Sequence, residues 1–232
     1  MKEAFERTAM LLGQEGVARL QRAHVLVVGL GGVGGHCVEA LARAGIGQLT
    51  LMDGDVVAPS NLNRQLVATT EAIGVPKPQA LAARLHAILP DMQVTQVPAF
   101  FTPETTNDLF QSLDYVVDAV DDMTAKVELA VRCHALGIAE IAAMGAGNKL
   151  DPTQLRVMDI FKTTYDPLAR RMRQELRKRD IPALDVAVSI ETPRLVPQVE
   201  GPRVIGSVSF VPSAMGLVLA GHVVRRLCGI VL

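Results

Sequence analysis

His24-Val-Leu-Val-Val-Gly29-Leu-Gly31-Gly32-Val-Gly34-Gly35 is the stretch that decides the fold. Its first five residues form a short apolar run rich in β-branched side chains, bounded by glycine. That composition suits a strand buried on both faces. The glycines that follow fit G-x-G-x-x-G, and His36 to Ala44 then reads as a helix closed by Gly45 and Gly47. A tight strand–loop–helix unit places backbone N–H groups at a helix start, where they favour an anion. In this pattern the first glycine allows the turn, the second lets the backbone approach a phosphate or ribose, and the third lets helix and strand pack closely. Gly29, Gly31, Gly32 and Gly34 are therefore nucleotide-site candidates.

Working outward, strand and helix patterns alternate. Strands are expected at Gln48–Met52, Gln93–Val97, Tyr115–Ala119 and Glu140–Met144. Helices are expected at Lys2–Arg22, Pro78–Leu89, Glu104–Leu113 and Thr124–Leu136. The alternation predicts an α/β, Rossmann-like fold: a doubly wound, mostly parallel sheet. Beyond residue 150 the pattern becomes irregular, with a strand at Thr153–Ile160, a basic helix at Leu168–Arg179 and a Pro-rich loop at Thr192–Pro202. There is no internal repeat and no linker. A single domain over 1–232 is expected, its nucleotide-binding half at 5–150 and an irregular C-terminal extension at 151–232 serving substrate and dimer contacts.

The chain has 23 Lys and Arg against 24 Asp and Glu, for a net charge of −1. No global field draws it to nucleic acid or membrane, so any such attraction is local. Its three cysteines form no C-x-x-C pair, which argues against a zinc site and a disulfide framework and for a reducing, cytoplasmic setting. The first residues do not read as a secretory signal. Val204 to Val224 lacks Asp, Glu, Lys and Arg and is long enough to cross a bilayer. Its glycines, serines and Pro212 favour a short buried strand, a turn at Pro212 and a buried helix, and no membrane span is expected.

Asp53 ends the second strand, 24 residues after Gly29, where a carboxylate accepts hydrogen bonds from ribose hydroxyls. To this point NAD and ATP fit equally well. Asn61-Leu-Asn63-Arg64-Gln65 follows Asp53-Gly-Asp55, and Lys77 comes 13 residues after Arg64. A guanidinium and an ammonium near one nucleotide suit a triphosphate, whose charge must be neutralised as pyrophosphate leaves. Taken singly, each is equally readable as a loop Arg and a helix-flanking Lys. Asp118-Ala-Val-Asp121-Asp122 ends another strand, along the ligand crevice. Asp121 is the candidate Mg²⁺ ligand and Asp122 the candidate helix cap.

Together the glycine loop, Asp53-x-Asp55, Asn61-x-x-Arg64-Gln65, Lys77 and Asp118-x-x-Asp121 resemble the ubiquitin-activating-type adenylating family over about residues 5 to 150. The resemblance implies ATP as cofactor with Mg²⁺. It implies that Asp53 holds ribose, that Asn61, Arg64 and Lys77 contact phosphates, and that Asp121 organises the metal. Asp55 and Gln65 belong to the same nucleotide-binding set. It also implies a homodimer in which an N-terminal arginine, here Arg7, reaches the partner's ATP site.

Asp151-Pro-Thr-Gln-Leu155, Asp159-Ile-Phe-Lys162-Thr163, Asp166-Pro-Leu168-Ala-Arg-Arg and Ser189-x-Glu191 are similar to a narrower branch of that family. Its members adenylate the carboxylate of threonylcarbamoyladenosine at position 37 of tRNA, which then cyclises with loss of AMP. Such a reaction needs no enzyme thiol, because the attacking atom belongs to the substrate and proximity does the rest. The basic helix offers Arg170, Arg171, Arg173, Arg177, Lys178 and Arg179 as tRNA contacts, opposed within it only by Glu175. A solvated surface helix is the plain alternative. Asp166 is the expected cap of that helix and Pro167 its first residue. Lys162 is a minor candidate for substrate positioning. The competing functions are adenylation of a ubiquitin-like sulfur-carrier protein and a dinucleotide-dependent oxidoreductase.

Overall fold

The computed structural model describes residues 3–195, 197 and 205–230. In chain order the elements are α1 (Glu6–Arg22), β1 (His24–Val28), α2 (Gly34–Ala44), β2 (Gln48–Met52), α3 (Lys77–Ile88), β3 (Gln93–Val97) and β4 (Tyr115–Asp118). Then come α4 (Met123–Leu136), β5 (Ala139–Ala143), β6 (Leu155–Asp159), α5 (Pro167–Arg177), β7 (Asp185–Ser189) and α6 (Phe210–Cys228). The strands form one sheet in the order β3-β2-β1-β4-β5-β7-β6. Every pairing is parallel except β6 with β7. The irregular C-terminal third thus extends the same sheet, ending it with an antiparallel edge strand.

Side chains of β1 alternate between two cores. Val25 and Val27 pack with Leu20 of α1, Leu41 of α2, Leu85 of α3 and Leu219 of α6. Leu26 and Val28 face Phe101, Phe110 and Leu129 of α4. A third cluster joins α4 and α5 through Val127, Met172 and Leu176, over Ala142 and Val186. Burial of β1 on both faces explains its unbroken apolar run, since alternation with polar residues would strand charge in one core.

Three expectations are corrected and one strand is added. Glu104–Leu113 is not a helix but loop with a single 3-10 turn at Asn107–Phe110. Thr105 Oγ1 accepts from Thr102 N and Thr102 Oγ1 from Glu104 N, at 3.0 and 3.3 Å. Arg132 also occupies the carbonyls of Pro103 and Thr105. Those local bonds compete with the helical ladder. The N-terminal helix is preceded by a 3-10 turn at Glu3–Phe5 and broken at Gly13, whose φ of 73° is non-helical. Among the described residues of 205–209 there is no strand, and Pro212 lies in the first turn of α6, where its missing N–H costs nothing. Finally β7 is a strand that the sequence pattern did not announce. The Pro-rich loop is without regular structure at 192–195, and its remainder lies mostly outside the described residues. Among the described residues no helix is long and apolar enough to cross a membrane.

Candidate active site

The sheet order places β1 beside β4, the point where the winding of the chain reverses. Ligands of open α/β sheets bind beyond the strand ends at such a point. Here a cleft of about 950 Å³ opens there. It is lined by Gly29, Gly31, Gly32, Asp53, Asp55, Asn61, Arg64, Gln65, Lys77 and Asp121, which the sequence had singled out.

Gly29 has φ of +86°, and a Cβ there would sit 2.6 Å from the Ala119 carbonyl oxygen. Both features exclude other residues. Gly34 does not line the cleft. A Cβ on it would meet the Gly29 carbonyl oxygen at 1.8 Å, so its part is to let α2 close onto the loop. At Gly31 the nearest atom to such a Cβ is Gln65 Nε2 at 3.9 Å, leaving space for a ligand.

Asp53, at the end of β2, is buried. Its Oδ2 accepts from Leu30 N at 2.7 Å and its Oδ1 from Asp55 N at 2.8 Å. Two backbone donors fix the carboxylate against the glycine loop and leave a lone pair on each oxygen. Lys77, the first residue of α3, is buried too. Its Nζ lies 2.7 Å from Asp55 Oδ2 and 3.7 Å from Asp53 Oδ2. In this state the ammonium is engaged by carboxylates, a partnership the sequence spacing did not indicate. Arg64 Nη1 donates to the Ser60 carbonyl and to Asn63 Oδ1, each at 2.8 Å. Asn61 Oδ1 accepts from Ala58 N. Gln65 Oε1 is buried and, among the described residues, has no hydrogen-bond partner. An unmet acceptor in a polar cleft marks a place for a ligand donor.

Beneath the cleft Asp118 and Lys126 are both fully buried and bonded at 2.8 Å. Asp118 Oδ1 also accepts from Val120 N at 3.0 Å, which fixes the loop carrying Asp121. Burial pushes the Asp118 carboxyl up, and the Lys126 ammonium pulls it back. Asp122 Oδ1 caps α4 by accepting from Ala125 N at 2.8 Å, as the sequence had suggested. No group of three or more His, Cys, Asp or Glu that could hold a metal occurs among the described residues.

The cleft continues over the end of β5. Gly145, Ala146, Gly147, Asn148 and Lys149 form its far wall, with Asp166, Pro167 and Leu168 at the start of α5. Sequence reasoning passed over this wall and Lys149, although a small-residue run after a strand end was a usable signal. Lys149 Nζ donates to the Gly145 carbonyl at 2.6 Å and pairs with Asp166 Oδ2 at 3.2 Å. Asp166 Oδ1 caps α5 through Ala169 N at 2.9 Å. One buried carboxylate therefore ties α5 to the cleft. Phe100 lies against Gly54 at the cleft's other end and is 63% exposed. Arg7 is exposed and outside this cleft, and Lys162 is exposed and does not line it.

A Rossmann-like sheet with this glycine loop, carboxylates and cations at its switch point defines a nucleotide-binding protein of the adenylating type. The chain belongs to the ThiF family, which it matches over residues 5–231. It is 39% identical to the tRNA threonylcarbamoyladenosine dehydratase of Bacillus subtilis, across 98% of this chain and 95% of that protein. With the enzyme of the same name from Escherichia coli the identity is 34%, over 97% and 94%. Solved structures of that Escherichia coli protein in complex with AMP and with ATP superpose with a TM-score of 0.91, covering 98% of this chain and 95% of theirs. The sulfur carrier protein ThiS adenylyltransferase of Escherichia coli is 39% identical over only 57% of this chain.

Proposed function

We propose that this chain is an ATP-dependent adenylating enzyme acting on threonylcarbamoyladenosine in tRNA. The substrate carboxylate attacks the α-phosphorus of ATP, the bond to the β-phosphate oxygen breaks, and pyrophosphate leaves. A nucleophilic atom of the same modified nucleoside then attacks the activated carbonyl, and AMP departs as the ring closes. No general base is needed for the first step, since a carboxylate is already ionised at neutral pH.

The observation that carries this reading is one continuous cleft with two halves. The nucleotide half holds the glycine loop, Asp53, Arg64, Lys77 and Asp121. The other half runs along Gly145–Lys149 to the head of the most basic helix in the chain. Asp53 is assigned to the ribose, with Asp55 orienting Lys77. Asn61, Arg64 and Lys77 are assigned to the phosphates, and Gln65 to a ligand donor beside Gly31. Asp121 is the one assigned protein ligand of Mg²⁺. A single carboxylate fits that ion, which takes its remaining ligands from phosphates and water. The metal would neutralise phosphate charge as pyrophosphate separates. A homodimer supplying Arg7 across the interface fits the position of that residue. A cytoplasmic setting follows from the substrate.

The test is exchange of labelled pyrophosphate into ATP, with tRNA that carries threonylcarbamoyladenosine, with unmodified tRNA, and with a carrier protein ending in two glycines. Exchange and AMP release with the modified tRNA alone are expected. Exchange with the carrier protein only, or reduction of NAD, would overturn the reading.

A further inference from the structure

Six cations decorate α5 and the residues after it, but four already engage other groups of the protein. Arg173 donates to the Thr163 carbonyl at 3.0 Å and to its hydroxyl. The guanidinium of Arg177 lies over the Phe161 ring, 5.3 Å from its centroid. Lys178 and Arg179 both pair with Glu175, each at 2.7 Å. Arg170 and Arg171 are exposed, and among the described residues neither side chain has an ion-pair partner. Using these two arginines costs their hydration and side-chain freedom, whereas the other four also share their donors with an existing contact.

Their place on the helix is set by its packing. Ala169, Met172 and Leu176 are its buried residues. At about 100° per residue, Pro167, Arg170 and Arg171 come out on the opposite side. Pro167 lines the cleft, and the two arginines follow it one turn further along the same side of α5. The bonds of Asp166 to Ala169 N, Gly145 N and Lys149 hold that turn in place.

Immediately before the cap stands Tyr165, 67% exposed. The chain has two tyrosines and no tryptophan, and the other tyrosine, Tyr115, is buried. An open aromatic ring one residue before the helix cap, with uncommitted guanidinium groups in the first turns of that helix, is the equipment that binds unpaired RNA: a base stacks on the ring while cations meet the flanking phosphates. The geometry points to Tyr165, Arg170 and Arg171 as the corner that docks a single-stranded RNA loop and presents one nucleoside to the cleft. This rests on the tRNA reading above and deepens it, since it assigns the docking to three residues and releases Arg173, Arg177, Lys178 and Arg179 to structural work.

The test uses the full chain and two RNAs: the modified tRNA for turnover, and its anticodon stem-loop for binding by fluorescence anisotropy across a salt series. Tyr165→Ala is expected to raise the tRNA KM about tenfold or more, and Tyr165→Phe to restore it. Arg170→Ala with Arg171→Ala is expected to lower the salt slope of binding by about two. The KM for ATP and the melting temperature should stay at wild-type values in all three, which a merely structural role would not predict. If the wild type turns over tRNA while these variants keep its KM and salt slope, the docking corner is overturned. If the wild type binds the stem-loop through these residues but does not react, the docking stands and the proposed reaction falls. Absence of any RNA binding overturns both.

Discussion

Replacing Lys126 by Met leaves Asp118 fully buried without its only ion-pair partner among the described residues. The carboxylate keeps one backbone donor, Val120 N. Removing one member of a buried pair typically costs about 3–5 kcal/mol, because the survivor's desolvation is no longer compensated. Against a total stability of about 5–15 kcal/mol this is a large fraction. For a chain of this size it corresponds to a fall in Tm of roughly 6–20 °C, at about 2–4 °C per kcal/mol. The direction with pH follows from burial, which already holds Asp118 above the usual carboxylate range. Without Lys126 the folded state binds that proton more tightly still than the unfolded chain does. Stability of the variant therefore falls as pH rises from the ordinary Asp range toward neutrality, so the loss should be larger at pH 8 than at pH 5. Urea unfolding at both pH values, with m compared to wild type, measures it. Adding Asp118→Asn to Lys126→Met removes the uncompensated charge and should recover much of the loss. A cost below about 1 kcal/mol at both pH values, with m unchanged, would refute the claim that this pair is sealed from solvent.

Two further outcomes are expected. Glu140 is half-buried, with its Oε1 sealed from solvent and without a hydrogen-bond partner among the described residues, and burial first, then the nearby Asp118 charge, push its carboxyl well up against the opposing pull of Lys126. The folded state thus holds a proton that the unfolded chain releases, so wild-type Tm should drop from pH 5 to pH 8 and Glu140→Gln should flatten that drop by a few degrees; parallel curves would mean that Glu140 is ionised in the fold. At Gly31 the backbone is not left-handed and the surroundings are open, so Gly31→Val should keep its Tm while raising the KM for ATP by about tenfold or more. An unchanged KM in steady-state kinetics would place the nucleotide elsewhere.

The parts of this molecule that were legible in its sequence are those with local causes. The central strands β1, β2 and β4 are short, mostly apolar runs because a parallel sheet buries both their faces, and the glycine loop is fixed by sterics within a few residues. Asp122 and Asp166 could be read as caps because a cap is also local. What escaped depended on distant partners. Asp185-Val-Ala-Val-Ser carries only a three-residue apolar run, and it becomes a strand where β5 and β6 flank it. Lys126 and Lys149 look like ordinary polar residues, and only the fold reveals that each is buried against an aspartate. The false helix at Glu104–Leu113 failed on threonine side chains and on Arg132, which reaches it from α4. The six-fold basic cluster was visible, but its division into committed and uncommitted cations required the positions of Thr163, Phe161 and Glu175.

The cysteines bear on which acyl acceptor the cleft is built for. A cysteine that accepts an activated acyl group must be ionised and must reach the acyl carbonyl. Cys37 and Cys133 are buried, and burial pushes both thiols far up. Cys228, at the end of α6, is also raised and faces the Gly16 carbonyl at the opposite end of the molecule's sequence. None of the three lines the cleft. What the cleft does offer beyond the nucleotide is a wall of small residues, Gly145 to Gly147, and the head of α5 held by Asp166 and Lys149. Such a pocket can confine a substrate that carries its own nucleophile, which is the one thing an internal cyclisation needs from its enzyme once the carboxylate is activated.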